Sequence, residues 1–379
     1  MEHRGMRNRR RRGAVLGVLL ATGISCGGPP AGPDEPAEPA GRGGRAPAPL
    51  RGTGAAEDAG ASGAEDEGGN AAVATGGAGG TAGLDAAGGA AAGNTDPTEP
   101  APPREAYSGP GTVVRTAAEF VAAVAPGARI VVVADRIDLS DLWPGVATPL
   151  WDDTRDGPPP PAGTEHVRWT NPYDGWQLEI HDLERLEIVG HGSPPPRLVT
   201  HPRGSFVLKF VEADAVAIEN LTLGHTTPGF CRGGVLAFEK ARDVRVRDAE
   251  LFGSGTYGLE LDRVRGAVFE RVAVHDCTYG IAVIRDSKEV TFLDSTFRDN
   301  EEFELVRVER TRGVRFERCL FEGNRTHGDN PFFDVTASEV ELVETVFRNN
   351  AVEVFRRGPV RITSGTFEGN PFEPAISPI

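Results

Sequence analysis

Residues 313–324 read GVRFERCLFEGN, and the same skeleton returns as EVTFLDSTFRDN at 289–300, EVELVETVFRNN at 339–350 and PVRITSGTFEGN at 359–370. Aligned on the last large apolar residue, the copies extend through Leu223, Leu251, Val274, Phe297, Phe321, Phe347 and Phe367. The spacings are 28, 23, 23, 24, 26 and 20 residues. A unit this short cannot bury its own apolar face, so such copies must stack on one another. Upstream in the copies, apolar residues recur at spacing two: Val244 and Val246, Val290 and Phe292, Val314 and Phe316, Val340 and Leu342, Val360 and Ile362. The residues between them are polar: Arg245, Thr291, Arg315, Glu341 and Arg361. Period two marks a strand with one buried face. A second strand follows in the copies, such as GLELD at 258–262 and GIAVI at 280–284. Two or three short strands per unit make one coil of a solenoid.

The asparagines select the kind of solenoid. Asn300, Asn324, Asn350 and Asn370 each stand three residues after the aligned phenylalanine. Asparagine tolerates the left-handed backbone of a sharp corner. Stacked amides about 4.8 Å apart can also hydrogen-bond into a ladder. This pattern resembles the right-handed parallel β-helix of pectate-lyase-like proteins over roughly residues 110 to 372. The leucine-rich solenoid is excluded, since Leu-x-x-Leu-x-Leu spacing and a helix per repeat are both missing. The expected fold is therefore all-β, a right-handed parallel β-helix. The segment from Ile218 to Leu261 is further similar to a group of bacterial right-handed β-helix repeat proteins, a resemblance that implies fold and export but no reaction. Pectate lyases carry an Asp-His-Cys-type strand segment and an Arg-x-Pro-x-x-Arg motif. Here His275-Asp276-Cys277 has the order reversed and the arginine motif is missing. The Asp-Pro-His-Glu of alginate epimerases and the aspartate set of polygalacturonases are missing too.

Three segments precede or compose the fold. Residues 1–26 read as a signal peptide: a basic start, a short apolar run from Ala14 to Ala21, and Gly23-Ile24-Ser25-Cys26. That run is too short to span a bilayer. The closing tetrapeptide resembles a bacterial lipoprotein processing site, which implies lipidation of Cys26. Gly23 stands where that site usually has leucine, and ordinary secretory cleavage nearby is the alternative. Residues 27–108 are Gly, Ala, Pro and acidic residues with almost nothing to bury, so they read as a disordered linker. A coil of about 80 such residues spans on the order of 50 Å. The β-helix domain is expected over 109–379. It opens with Thr116-x-x-Glu119, a capping-box pattern. Phe120, Val121 and Val124 share one helical face, so a short helix should cover the first coil, with ARIVVV as the first buried strand.

Candidate chemistry sits at the turn after the aligned phenylalanine and along the following strand. Asp276, Asp299, Glu304 and Asp329 come from three consecutive coils, and carboxylates that converge with asparagine oxygens can hold Ca²⁺. Arg285 and Arg307, one coil apart, are the bases a Ca²⁺-assisted uronate lyase would use; His275 and His327 are the other acid–base candidates. The plainer reading is corner hydrogen bonding and a solvated charged surface. All four tryptophans, Trp143, Trp151, Trp169 and Trp176, fall with Tyr173 in one non-repeat stretch. They either stack on sugar rings or anchor a long loop to the solenoid. Cys231 and Cys277 share a column two coils apart, too far for a disulfide in a regular stack unless the TTPGFC loop bulges. Cys319 takes the place of Ala249, Val272 and Ser295, as a small buried side chain.

Net charge is −15. No basic stripe is apparent outside the leader, so nucleic acid is not an expected partner, and an anionic polysaccharide would need Ca²⁺ or a local arginine row. The expected partners are a membrane, through the lipid anchor, and polysaccharide, for a monomer at the outer membrane or cell surface. Two functions stay open. One is a non-catalytic polysaccharide-binding or structural module of the envelope. The other is a polysaccharide lyase or related enzyme acting on uronate glycans with Ca²⁺. A fold present without a catalytic motif favours the first.

Overall fold

The computed structural model describes residues 106–142, 161–170, 177–200, 206–226, 233–372 and 374. The chain divides into two units, 1–100 and 101–379, and the described residues all lie in the second. Cys26, Cys231, Trp143, Trp151, Tyr173 and Trp176 lie outside them. The fold is a right-handed parallel β-helix with three faces. Face A holds Leu236–Glu239, Tyr257–Asp262, Gly280–Arg285, Val306–Glu309, Pro331–Thr336 and Val354–Arg357. Face B includes Arg129–Val132, Lys288–Leu293, Arg312–Glu317, Val340–Val343 and Val360–Ile362. Face C includes Arg136–Asp138, Arg197–Thr200, Thr222–His225, Thr296–Arg298, Leu320–Glu322, Thr345–Arg348 and Gly365–Glu368. Longer strands bend around a corner: Leu208–Glu219 serves faces A and B, and Arg265–His275 serves faces B and C.

Register follows the repeat residue by residue. On face C, Leu223 pairs with Leu251, Leu251 with Val274, Val274 with Phe297, Phe297 with Phe321, Phe321 with Phe347 and Phe347 with Phe367. On face B, Val290, Val314, Val340 and Val360 form one inward column, and Phe292, Phe316, Leu342 and Ile362 another. A slip by one residue would turn each column outward, so burial pins the register. The rings stack along the axis, with centroids 4.5 Å apart for Phe292 and Phe316, 4.8 Å for Phe297 and Phe321, and 4.7 Å for Phe321 and Phe347. Offset stacks of this kind add to the burial energy.

Helix Ala117–Ala123 covers the first coil. Thr116 accepts from the Glu119 amide while Glu119 accepts from the Thr116 amide, the reciprocal cap expected from the sequence. Phe120 is fully buried beneath it. Among the described residues no helix is long and apolar enough to cross a membrane.

The corners correct one expectation. Left-handed backbone does recur, but the aligned asparagines, Asn300, Asn324, Asn350 and Asn370, do not provide it. Between faces C and A the left-handed residues are Gly253, Asp276, Asp299, Gly323, Asn349 and Gly369. Asn300, Asn324 and Asn350 come one residue later, fully or almost fully buried. Their amides form the ladder. Asn324 Nδ2 donates to Asn350 Oδ1 at 2.9 Å and to the Phe297 carbonyl at 2.9 Å. Its Oδ1 accepts from the Asn300 amide at 3.1 Å and from Asn300 Nδ2 at 3.0 Å. Asn370 continues the ladder below, and the Cys277 amide ends it above on Asn300 Oδ1. Buried hydroxyls do the same between faces A and B, where Ser287 accepts from the Val264 amide and Thr311 from the Ser287 amide. Cys277 and Cys319 are free, buried thiols, as expected for Cys319.

Candidate functional site

Face A presents two outward columns between the buried ones. Glu260, Val283, Arg307 and Asp334 align in one; Asp262, Arg285 and Glu309 align in the next. At the start of the face, Tyr257 donates its hydroxyl to Glu304 Oε1 at 2.9 Å, and Arg307 Nη1 reaches the same oxygen at 3.2 Å. Arg307 Nε donates to Glu309, whose other oxygen lies 3.7 Å from Arg285 Nε. One chain of contacts thus runs from Tyr257 through Glu304, Arg307 and Glu309 to Arg285. Beside it, Tyr257, Tyr279 and Val283 form a small buried cluster apart from the main core. Tyr279 meets Phe303 edge to face with centroids 4.7 Å apart, and Phe303 is 39% exposed. Phe303 is the one large aromatic ring that stays exposed among the described residues, and it lies beside this hydrogen-bonding network.

The electrostatics describe what this network can do. Burial and the nearby Glu304 carboxylate push the Tyr257 hydroxyl well above its ordinary range, so it remains a donor. Burial lowers the pKa of Arg307, but the fields of Glu309 and Glu304 outweigh it and the net shift is upward. A guanidinium held in this way is a poor proton acceptor. Burial raises the Glu260 carboxyl, opposed by Arg285 and Lys209.

Face C carries a second cluster. His275 Nε2 lies 2.8 Å from Glu250 Oε1, and its Nδ1 lies against Asp276. The ring stacks on Phe252, over which Arg197 sits 5.1 Å from the ring centre. Burial disfavours the charged imidazole, yet the two carboxylates outweigh it and raise the pKa above 6.5. The His275 hydrogen bond in turn lowers the Glu250 carboxyl.

The expected cluster does not assemble as drawn. Arg285 and Arg307 do meet, through Glu309. His275 stands on face C, away from both. His327 is exposed in the turn before strand Pro331–Thr336. Asp276 and Asp299 occupy equivalent corners in consecutive coils, Asp276 against His275 and Asp299 against Arg298 at 3.0 Å. Glu304 turns onto face A, and the Asp329 side chain is 94% exposed beside Arg357. Among the described residues no group of three or more His, Cys, Asp or Glu is placed to hold a metal ion. Trp169 lies on Val167–Thr170, which pairs antiparallel with Gln177–Gly190, and its half-buried ring packs against the core. Sequence reasoning missed Tyr257, Tyr279, Phe303 and Glu309. A signal existed: Thr256-Tyr257-Gly258 returns as Thr278-Tyr279-Gly280, two of only four tyrosines.

A family model described as a right-handed beta helix region matches residues 214–375. No curated protein sequence matches the chain. Among solved structures, the Streptococcus pneumoniae surface protein and adhesin PfbA is similar at 8% identity and a TM-score of 0.33, covering 63% of this chain and 76% of that one. An alginate lyase from a Paenibacillus species is similar at 13% identity and 0.38, covering 70% and 96%. The tailspike protein gp49 of Pseudomonas phage LKA1 is similar at 10% identity and 0.23, covering 52% and 49%.

Proposed function

We propose that this chain is an envelope-anchored surface module that binds polysaccharide without turning it over, and that face A around Phe303 is the contact. The observation that carries the reading is the exposed Phe303 ring, held edge-on by Tyr279 beside the Tyr257–Glu304–Arg307 network. Sugar rings present apolar C–H faces between hydroxyls, so they suit an open ring flanked by donors and acceptors. The state of the arginines supports binding over β-elimination: Arg307 is shared by two carboxylates and its pKa is raised, the reverse of what a proton-abstracting base needs. Cys26 is the proposed lipid attachment, and residues 27–108 the tether that holds the domain off the membrane.

The test is binding of the full chain to a panel of neutral and uronate polysaccharides, with and without Ca²⁺. Phe303→Ser should weaken binding by about 0.5–1.5 kcal/mol, the usual worth of one aromatic contact, with little change in melting temperature. Unchanged affinity would remove face A from the proposal. New ultraviolet-absorbing unsaturated ends in the same incubations would make the protein a lyase.

A further inference from the structure

Two columns of the solenoid handle charge in different ways. Between faces B and C the left-handed corner residues run Asp248, Arg271, Asp294, Arg318 and Glu344, alternating in sign from coil to coil. Arg271 grips both oxygens of Asp248, and Arg318 both oxygens of Asp294. Like charges directly opposite on neighbouring strands are destabilising, and alternation avoids this. At the entrance to face B the pattern is different. Arg242 pairs in register with Arg265, Arg265 with Lys288, and Lys288 with Arg312. All four are exposed. Arg242 is held by Asp214 of the preceding coil. Among the described residues no carboxylate forms an ion pair with Arg265, Lys288 or Arg312.

We propose that Arg265, Lys288 and Arg312 form a track for an anionic polysaccharide lying along the solenoid axis, a site separate from the Phe303 platform. The row corrects the expectation that no basic stripe exists outside the leader, because it is made only by stacking. Parallel strands set successive cations about 4.8 Å apart, and a polyuronate carries a carboxylate on every sugar, so a chain lying along the row presents anionic groups to it. The neighbouring charges keep the track narrow. Asp243, Asp286 and Glu289 flank it, and Asp286 is already occupied by Arg310. These carboxylates, and a net charge of −15, disfavour any polyanion that does not lie in register with the row. Single-stranded nucleic acid would need rings on which bases stack. The outward residues beside the row on face B, Val268, Thr291 and Arg315, supply none.

The test uses the full chain on immobilised polygalacturonate, its methyl-esterified form, and single-stranded DNA, each over a salt series. Replacing Arg265, Lys288 and Arg312 together by Gln should weaken polygalacturonate binding at least tenfold. By analogy with counterion release, it should also lower the slope of log affinity against log salt by about two. Lys288→Glu alone should reproduce most of the loss while melting like the native protein. Arg271→Gln with Arg318→Gln removes exposed cations from the other corner and should leave binding unchanged. Equal loss in that control, equal binding of the esterified polymer, or tighter binding of DNA would each overturn the proposal. Phe303→Ser separates the two sites: it should weaken neutral glycan, which the triple substitution leaves intact.

Discussion

Replacing Asn324 by Ala tests what the asparagine column contributes. Asn324 is fully buried, and its amide serves three neighbours at once. Truncation removes the acceptor of the Asn300 amide, 3.1 Å away, and that N–H has no other acceptor within the ladder. It also removes a donor to the Phe297 carbonyl and one to Asn350 Oδ1, although Asn350 Oδ1 retains the Asn324 amide itself. Asn300 Nδ2 keeps its bonds to the Val274 and Arg298 carbonyls. One orphaned buried N–H costs about 1–3 kcal/mol, and the hydrogen bonds lost with it bring the expectation to about 2–4 kcal/mol. The assay is equilibrium unfolding in urea, read as a lower midpoint at constant slope. Asn324→Gly is the discriminating companion. If the column worked by tolerating left-handed backbone, Gly would rescue what Ala loses. The structure places the left-handed turn at Gly323, one residue earlier, so Gly should be at least as costly as Ala at 324. Asn349→Gly, at an exposed left-handed position, should be nearly neutral. A small cost for Asn324→Gly beside a large one for Asn324→Ala would refute the ladder argument.

Phe321 is fully buried, with stacked neighbours 4.8 and 4.7 Å away, so Phe321→Ala should cost roughly 3–5 kcal/mol in the same unfolding assay. His275 should make stability pH-dependent. Its folded pKa is raised, so its contribution is complete below 6.5 and fades as pH climbs through the folded value. Glu250 is lowered, so its share is lost as pH falls below 4.5; the pair contributes most between those limits. His275→Gln should flatten the melting profile above pH 6.5. Trp169 packs partly on the core, so Trp169→Ala is expected to lower the melting temperature; an unchanged melt with lost glycan binding would restore it as a sugar platform. Cys26→Ser should release the protein from the membrane fraction, and identical fractionation of the two forms would remove the anchor.

The core was legible because it depends on period. Val314, Phe316 and Phe321 recur with the coil, and any misalignment would put them in water, so local pattern and global register agree. The candidate site was less legible because it depends on where a chain turns between strands. Glu304 and Asp329 both follow a corner, and coil stacking suggested that they would converge on one face. The loop from Asn300 to Glu304 brings one onto Tyr257, while the longer turn through His327 leaves the other in solvent. The turns differ in length: Val306 and Phe333 pair in register, yet the second stands three residues further from its corner asparagine, Asn324, than the first does from Asn300. Tyr279 shows the size of the effect. Its sequence twin is Tyr257, yet Tyr257 pairs with Gly280, so the two rings meet edge to face, 6.2 Å apart, instead of stacking.

Charge raises the same problem in a sharper form. Net charge is a sum over the chain, and here the sum is acidic. A partner does not meet the sum. It meets a column, and stacking draws this one from residues 23 or 24 positions apart. Read along the sequence, Arg265, Lys288 and Arg312 each sit among acidic neighbours: Asp262 near the first, Asp286 and Glu289 around the second, Glu309 near the third. Folding sorts most of them. Asp262 and Glu309 go to face A and Asp286 to the corner before the row, where Arg307 takes Glu309 and Arg310 takes Asp286, while Glu289 stays beside the row and limits its width. Screening at physiological salt acts over roughly 8 Å, longer than the spacing within the column but shorter than the reach across a whole coil. The row is therefore felt locally as a row, whatever the sign of the molecule.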